Sequence, residues 1–373
     1  MTHAPSLLIT IIGFVLLLGP LVVIHELGHY LVARWCGVKA DAFSVGFGKE
    51  LFGLTDRRGT RWKLSAIPLG GYVQFAGDMN PASQPDDVVL AGLTPEERAV
   101  TFNVQPLWKR AVIVAAGPFT NLLFAVVIFA AFNLAFGKLV APPVVDGFMP
   151  NSPAQAAGLR TGDRVVAIDG EQIGDFETLR QRVWPYPGGT FTLTVRRDGS
   201  EFPVRIDAAT KVLKDEFGNE SRVGLLGVKA AKPNIVPVGP GEAAVMAVNQ
   251  TGGIIRMLVV GVTQIVTGER SVKELGGPLK TAKYSGEQLS LGWLEFVSFA
   301  AFISINLAFI NLLPIPALDG GHLAFYAAEA VRRRPLGPRS QDWAYRTGLA
   351  FVLALMVFVT LNDLASLLPI GRQ

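Results

Sequence analysis

From Ser6 to Ile24 the chain reads SLLITIIGFVLLLGPLVVI, without one charged side chain, and runs straight on into His25, Glu26 and His29. About 20 apolar residues in a helix cross a bilayer, so this stretch predicts a membrane span with ionisable groups at its far end. Three further windows qualify: Ala111–Phe136, Trp293–Leu313 with Glu295 near its start, and Thr347–Leu361, preceded by Arg346. Composition agrees. Of 373 residues, 50% are hydrophobic and 17% charged, against about 25% charged in an ordinary soluble domain. This balance speaks against a wholly soluble enzyme and excludes a disordered chain. The one cysteine, Cys36, excludes an intrachain disulfide and a Cys-rich metal site. A dispersed formal charge of +4 gives no reason to expect a nucleic-acid partner.

The first window is not expected to be a secretory signal: no basic segment precedes it and no small-residue cleavage site closes it. A fifth apolar segment, Ala243–Thr267, is interrupted by Asn249, Gln250, Arg256 and Gln264 and reads as a helix lying in the membrane plane. Lys and Arg near span ends mark the cytoplasmic side. Arg34, Lys39 and Lys49 follow the first span, Lys109 and Arg110 precede the second, and Arg332, Arg333, Arg334, Arg339 and Arg346 lie between the third and fourth. The expectation is a polytopic α-helical membrane protein of about four transmembrane helices. Both termini and the region 140–290 would be extracytoplasmic.

That middle region changes character. VVDGFM, then NSPAQAAGLRTGDRVVAIDGEQI, a helical FETLRQRVW and a strand-like TFTLTVRRDGSEFPVRI describe a small α+β domain with Asp-Gly turns. Ser152 to Ile173 resembles a PDZ domain of the bacterial protease type, most specifically in GLRTGD at Gly158–Asp163. PDZ grooves take extended peptides by adding a strand to a sheet edge. Residues 209–240 are too short and too rich in Pro and Gly for a second copy.

His25-Glu-Leu-Gly-His29 matches H-E-x-x-H. At about 100° per helical residue, His29 lies about 40° round from His25 and Glu26 about 60° from His29. Two imidazoles can then meet one metal, with a carboxylate beside them. The chain has only 4 histidines, and ionisable groups in a span are costly and functional by default. A catalytic zinc wants a third protein ligand and an open position. His3 lies near the N-terminus on the wrong side. Asp319 and His322, in PIPALDGGHLAF, both follow the third span on the expected cytoplasmic face. Asp319 also suits a helix N-cap and His322 a packed first-turn position, so both stay open as ligands.

Together HELGHYLVAR, AAGPFTNLLFA at 115–125 and NLLPIPALDGGH at 311–322 resemble the site-2 protease family of intramembrane zinc metalloproteases, in its RseP-like bacterial branch. The resemblance covers nearly the whole chain. It implies Zn2+ held by His25, His29 and Asp319, with Glu26 as general base. It also implies a substrate-binding role for Asn311, which by itself reads as a helix C-cap before Pro314. The family's G-x-x-x-N pattern falls on Gly117 and Asn121, read physically as close helix packing through small residues. Residues Ala42–Ala76, with PLGGYVQFAG at 68–77, have the pattern of a β-hairpin. Similar proteins hold substrate as an extended strand on such a membrane-associated element, which makes Gly70 and Gly71 candidate substrate-binding positions. The best-known members carry two tandem PDZ domains where this chain has one.

The expected organisation is a first span with HExxH to residue 36, a cytoplasmic loop with the β-element over 37–104 and a second span over 105–137. A PDZ domain over 140–210 and a linker with the in-plane helix over 211–290 follow. The third span with the LDG motif takes 291–320, and a cytoplasmic loop with the fourth span takes 321–373. The resemblance implies an endopeptidase of the bacterial inner membrane. Its partners would be the lipid bilayer and single-span proteins, such as anti-sigma factors, already shortened by another protease. The alternative is a membrane-embedded PDZ scaffold with a structural or silent metal site, its shell closed by both Asp319 and His322.

Overall fold

The structure is a computed structural model and describes residues 5–77, 92–214, 220–272, 276–334 and 337–367. The chain forms two compact units. One comprises Met1–Ile128 and Gly276–Asp363, the other Phe129–Leu275 and Leu364–Gln373. It opens with helix α1 (Leu7–Trp35), strands β1 (Ala40–Thr55) and β2 (Arg61–Phe75), a short α2 (Pro95–Val100) and the long α3 (Leu107–Phe136). There follow β3 (Lys138–Val140), β4 (Val145–Phe148), α4 (Pro153–Ala156), β5 (Arg164–Ile168), β6 (Glu171–Gln172) and α5 (Phe176–Val183). Then come β7 (Thr190–Arg197), β8 (Ser200–Asp207), β9 (Ala209–Lys214), β10 (Glu220–Leu225), β11 (Val228–Ala230), β12 (Asn234–Val236) and α6 (Pro240–Val266). The chain closes with α7 (Pro278–Leu291), α8 (Trp293–Leu312), α9 (Asp319–Arg332) and α10 (Pro338–Leu367).

In the first unit, α1 starts at Ser6, whose hydroxyl accepts from the N–H of Ile9 at 3.4 Å and so caps an orphan donor. Leu17, Leu21, His25, Gly28 and His29 fall on one stripe and are buried, whereas Leu8, Ile11, Leu31 and Trp35 are exposed. Large apolar side chains outside and ionisable ones inside suit a lipid surround, where polar groups must find partners within the protein. Close crossings need small residues. A Cβ on Gly13 of α1 would come within 2.8 Å of the Ser285 carbonyl oxygen of α7, and one on Gly28 would collide with Thr120 of α3.

Among the described residues, five helices are long and apolar enough to cross a membrane by length and composition alone: Leu7–Trp35, Leu107–Phe136, Pro240–Val266, Trp293–Leu312 and Asp342–Ala365. The segment expected in the membrane plane, Ala243–Thr267, falls on α6 and its C-cap, and α6 is one of the five. Two of the polar residues that interrupt it have partners in its own unit. Gln250 Oε1 accepts from Asn133 Nδ2 at 3.2 Å, and Gln264 Nε2 donates to the Pro185 carbonyl at 2.7 Å.

The expected hairpin is present as β1 and β2, and it is folded more tightly than a simple hairpin. Residues 42–45 of β1 pair with 71–74 on one side and with 61–64 on the other, while 52–55 also pair with 61–64. The bend falls at Gly46 and Gly48, both at positive φ. One edge of the 71–75 segment is thus taken by β1, and the opposite edge faces α1.

The second unit is built on an antiparallel sheet of order β6-β5-β7-β8. Two of its turns are Asp169-Gly170 and Asp198-Gly199, with φ positive at both residues, the two-residue turn that suits strand twist. Leu179 and Val183 of α5 pack with Ile168, Leu193, Val195 and Ile206 in its core. The GLRTGD segment forms a turn fastened from two sides. Asp163 accepts from the Arg160 N–H at 2.8 Å and takes a two-pronged contact from Arg197 at 2.6 Å. Residues after 210, expected as linker, instead carry strands. β9 pairs with β10, β11 with β4 and β12 with β3. Leu226 enters the same core, so the β-rich part extends to Val236. The remainder of that expected linker contributes α6 and α7.

Candidate metal centre

His25 and His29 stand one turn apart near the end of α1, with their Nε2 atoms 3.2 Å apart. Asp319 is the first residue of α9, and its Oδ2 lies 3.2 Å from Nε2 of His25 and 3.5 Å from Nε2 of His29. Among the described residues these are the three that gather as a metal-binding group. The preceding loop aims the carboxylate. Gly320 and Gly321 have no room for a Cβ against the carbonyls of Leu312, Leu313 and Ile315, so residues 313–318 fold back on the first turn of α9. Ala317 holds φ +84, a setting that costs a non-glycine residue about 1–3 kcal/mol. Leu318 takes the N-cap position, which leaves the Asp319 side chain free to turn toward α1.

Proton placement fits a cation. Nδ1 of His29 lies 2.9 Å from the Ile113 carbonyl oxygen. Its proton belongs there, which leaves the lone pair on Nε2. Oδ2 of Asp319 is buried without a hydrogen-bond partner. Nε2 of His25, Nε2 of His29 and Oδ2 of Asp319 thus face one another across 3.2–3.5 Å. Their separations match the spacing of about 3.3 Å that tetrahedral bonds of about 2.0–2.1 Å require. Gly117 of α3 forms the floor: a Cβ there would collide with Nε2 of His29 and reach Cε1 of His25 at 2.8 Å. Asn121, one turn on, is wholly buried with its Nδ2 3.4 Å from Nδ1 of His25. The G-x-x-x-N pattern by itself predicts close helix packing here; the structure adds that both residues touch the histidines.

Glu26 is brought to the 71–75 strand, where its Oε2 accepts from the N–H of the buried Val73 at 3.1 Å. Gly71 lies beside it. A Cβ there would meet the Ser44 carbonyl oxygen at 2.6 Å and Val22 Cγ1 at 3.3 Å. Gly70 holds φ +105 with Phe47 packed against its α-carbon. Asn311 lies in the last turn of α8, which ends at Leu312, so it is not the C-cap. His322 stands apart from the three-residue group. Its ring lies 6.4 Å from that of Tyr326, and burial holds its imidazole below the usual range.

An HExxH helix that meets a remote carboxylate among long apolar helices defines a membrane metalloprotease. The family model for peptidase family M50 matches residues 13–355. A protein of Agrobacterium fabrum named "Putative zinc metalloprotease" is 45% identical over 362 residues, 96% of each chain. One of the same name in Mesorhizobium japonicum is 44% identical over 360 residues, 95% of this chain and 98% of its own. Metalloprotease MmpA of Caulobacter vibrioides is 34% identical over 388 residues, 96% of each. The chain belongs to peptidase family M50, the site-2 protease family. Among solved structures, the PDZ domain of an SdrC-like protein from Listeria monocytogenes is 16% identical. It covers 25% of this chain and 92% of its own, at a TM-score of 0.19, a likeness that carries no assignment.

Proposed function

We propose that the protein is an intramembrane zinc endopeptidase that cuts single-span membrane proteins, anti-sigma factors among them, after another protease has shortened them outside. The observation that carries this reading is the meeting of Asp319 with both imidazoles, 3.2 and 3.5 Å away, beside a glutamate held at a strand edge. His25, His29 and Asp319 would hold the zinc. Such an ion makes water a nucleophile near neutral pH and polarises the scissile carbonyl. Glu26 has Oε2 engaged by Val73, which leaves Oε1 to take the proton from the attacking water. Glu26 then returns that proton to the leaving amide nitrogen.

Substrate enters as a strand. A peptide bond inside a helix is shielded by its own turn, and unwinding the helix in lipid frees polar backbone groups that need partners. The β1–β2 element would offer them by strand addition, with Gly70 and Gly71 near the approach to Glu26. Asn311, one turn before the Asp319 loop, would position the substrate carbonyl. Residues 140–210 act as a PDZ domain outside the bacterial inner membrane, a reading supported by the strand and helix order and by the GLRTGD turn. With an in-plane helix, this domain would admit only substrates with small outer remnants. Both termini lie on that outer side.

The test is cleavage of a purified single-span substrate in detergent. The native protein should cut it and Glu26→Gln should not. A Glu26→Gln form that cuts as fast as native sinks the mechanism.

A further inference from the structure

We infer that Asn121 is the positioning residue for His25: its side-chain carbonyl accepts a hydrogen bond from Nδ1–H of His25 and so turns Nε2 toward the metal. The inference rests on the reading of His25, His29 and Asp319 as a metal site. Asn121 is wholly buried. Its Oδ1 has no hydrogen-bond partner, and its Nδ2 stands 3.4 Å from Nδ1 of His25. A buried acceptor left unpaired costs about 1–3 kcal/mol, so a group in this state calls for an explanation.

The chemistry of the ring supplies one. An imidazole that offers Nε2 to a metal carries its proton on Nδ1. For His29 that proton goes to the Ile113 carbonyl, 2.9 Å away. For His25 the group within reach is the Asn121 amide. An amide NH2 facing Nδ1–H would set donor against donor. A half-turn of the amide exchanges two ends of nearly equal shape. It brings Oδ1 to Nδ1–H, so that the contact with the ring pairs a donor with an acceptor. The backbone is fixed for this task, since Ser304 Oγ donates to the Asn121 main-chain carbonyl at 2.9 Å. Each imidazole on α1 is then oriented by α3, His29 through a main-chain carbonyl and His25 through a side-chain one.

Two substitutions in the full-length protein separate this role from packing. Asn121→Asp keeps an acceptor and loses the donor. Asn121→Leu loses both at similar size. The readouts are metal bound per chain, affinity from competition with a chromogenic chelator, and the visible spectrum of the cobalt-loaded protein. Asn121→Asp should bind zinc as tightly as the native protein with an unchanged cobalt spectrum. Asn121→Leu should bind about 10–100-fold more weakly, the scale for losing the partner of a metal-bound histidine. Native affinity in Asn121→Leu overturns the inference, and so does weakened binding in Asn121→Asp. If the leucine form does not fold, the aspartate form decides alone. A native protein that takes up no metal overturns instead the reading of the site itself.

Discussion

The main-chain N–H of Val73 donates to Oε2 of Glu26 across 3.1 Å, so a strand edge holds the carboxylate of the HExxH motif. Glutamate and strand sit 47 residues apart in the chain, and the bond fixes where an extended peptide would run relative to the three ligands. Proline has no N–H, so a proline at 73 removes this bond. A hydrogen bond to a charged group contributes about 1.5–3 kcal/mol, and each 1.4 kcal/mol or so is tenfold in rate. Val73→Pro should therefore lower kcat by about 10–100-fold while metal content by atomic absorption stays at the native level. A fall in metal content would mean that the strand supports the histidines instead.

Gly117 marks how closely α3 approaches the two imidazoles. The methyl of Gly117→Ala would occupy the space of His29 Nε2 and crowd His25 Cε1. The rings must then rotate away from Asp319. Purified Gly117→Ala should carry little metal and show no cleavage, with helix content by circular dichroism close to native. Full metal occupancy would show that the crossing of α1 and α3 can open at no cost to the site.

The residues alone leave both Asp319 and His322 open as third ligand and the family resemblance implies Asp319; among the described residues, Asp319 is the one that gathers with the histidines. Asp319→Ala should lose the metal and all activity. His322→Ala should keep both, with at most a modest loss of stability from its packing beside Tyr326. Stripping the native protein with a chelator should abolish cleavage, and zinc should restore it. Retained metal in Asp319→Ala would remove α9 from the site.

In the second unit, the two-pronged contact from Arg197 holds the Asp163 carboxyl below the usual carboxylate range. A folded-state pKa below the unfolded value, about 3.9, contributes stability that is complete above that value and fades as pH falls through the folded one. Asp163→Asn should thus lower the thermal midpoint of this unit at pH 7. The gap from native should narrow at pH 3 and below. An equal gap at both values would assign the loss to the turn's shape and not to its charge.

Local chemistry was the legible part. The i, i+4 spacing of His25 and His29 suits one face of a helix, and long apolar runs marked α1, α3, α8 and α10. The Asp-Gly turns at 169–170 and 198–199 declared the hairpins they close. Longer-range relations were hidden. Nothing in the local pattern says that residues 42–45 are flanked by strand on both sides, because pairing partners depend on a bend at Gly46 and Gly48. Asp319 and His322 sit three residues apart at a helix start, and only the folded loop with Ala317 at φ +84 decides which one faces α1. The strands after 210 are short and interrupted by Pro and Gly, so their pairing with β3 and β4 left no periodic trace. Asn121 looked like packing because its polar partner lies on another helix.

The three residues of the candidate metal centre come from α1 and from the start of α9, and that order has a consequence for biogenesis. The HExxH helix is synthesised and can enter the bilayer early, at a time when the ribosome has yet to make the aspartate that completes the trio. A nascent or prematurely terminated copy would carry two histidines and a glutamate with no third ligand. The three-residue group can therefore assemble only after synthesis has passed Asp319, most of the way along the chain.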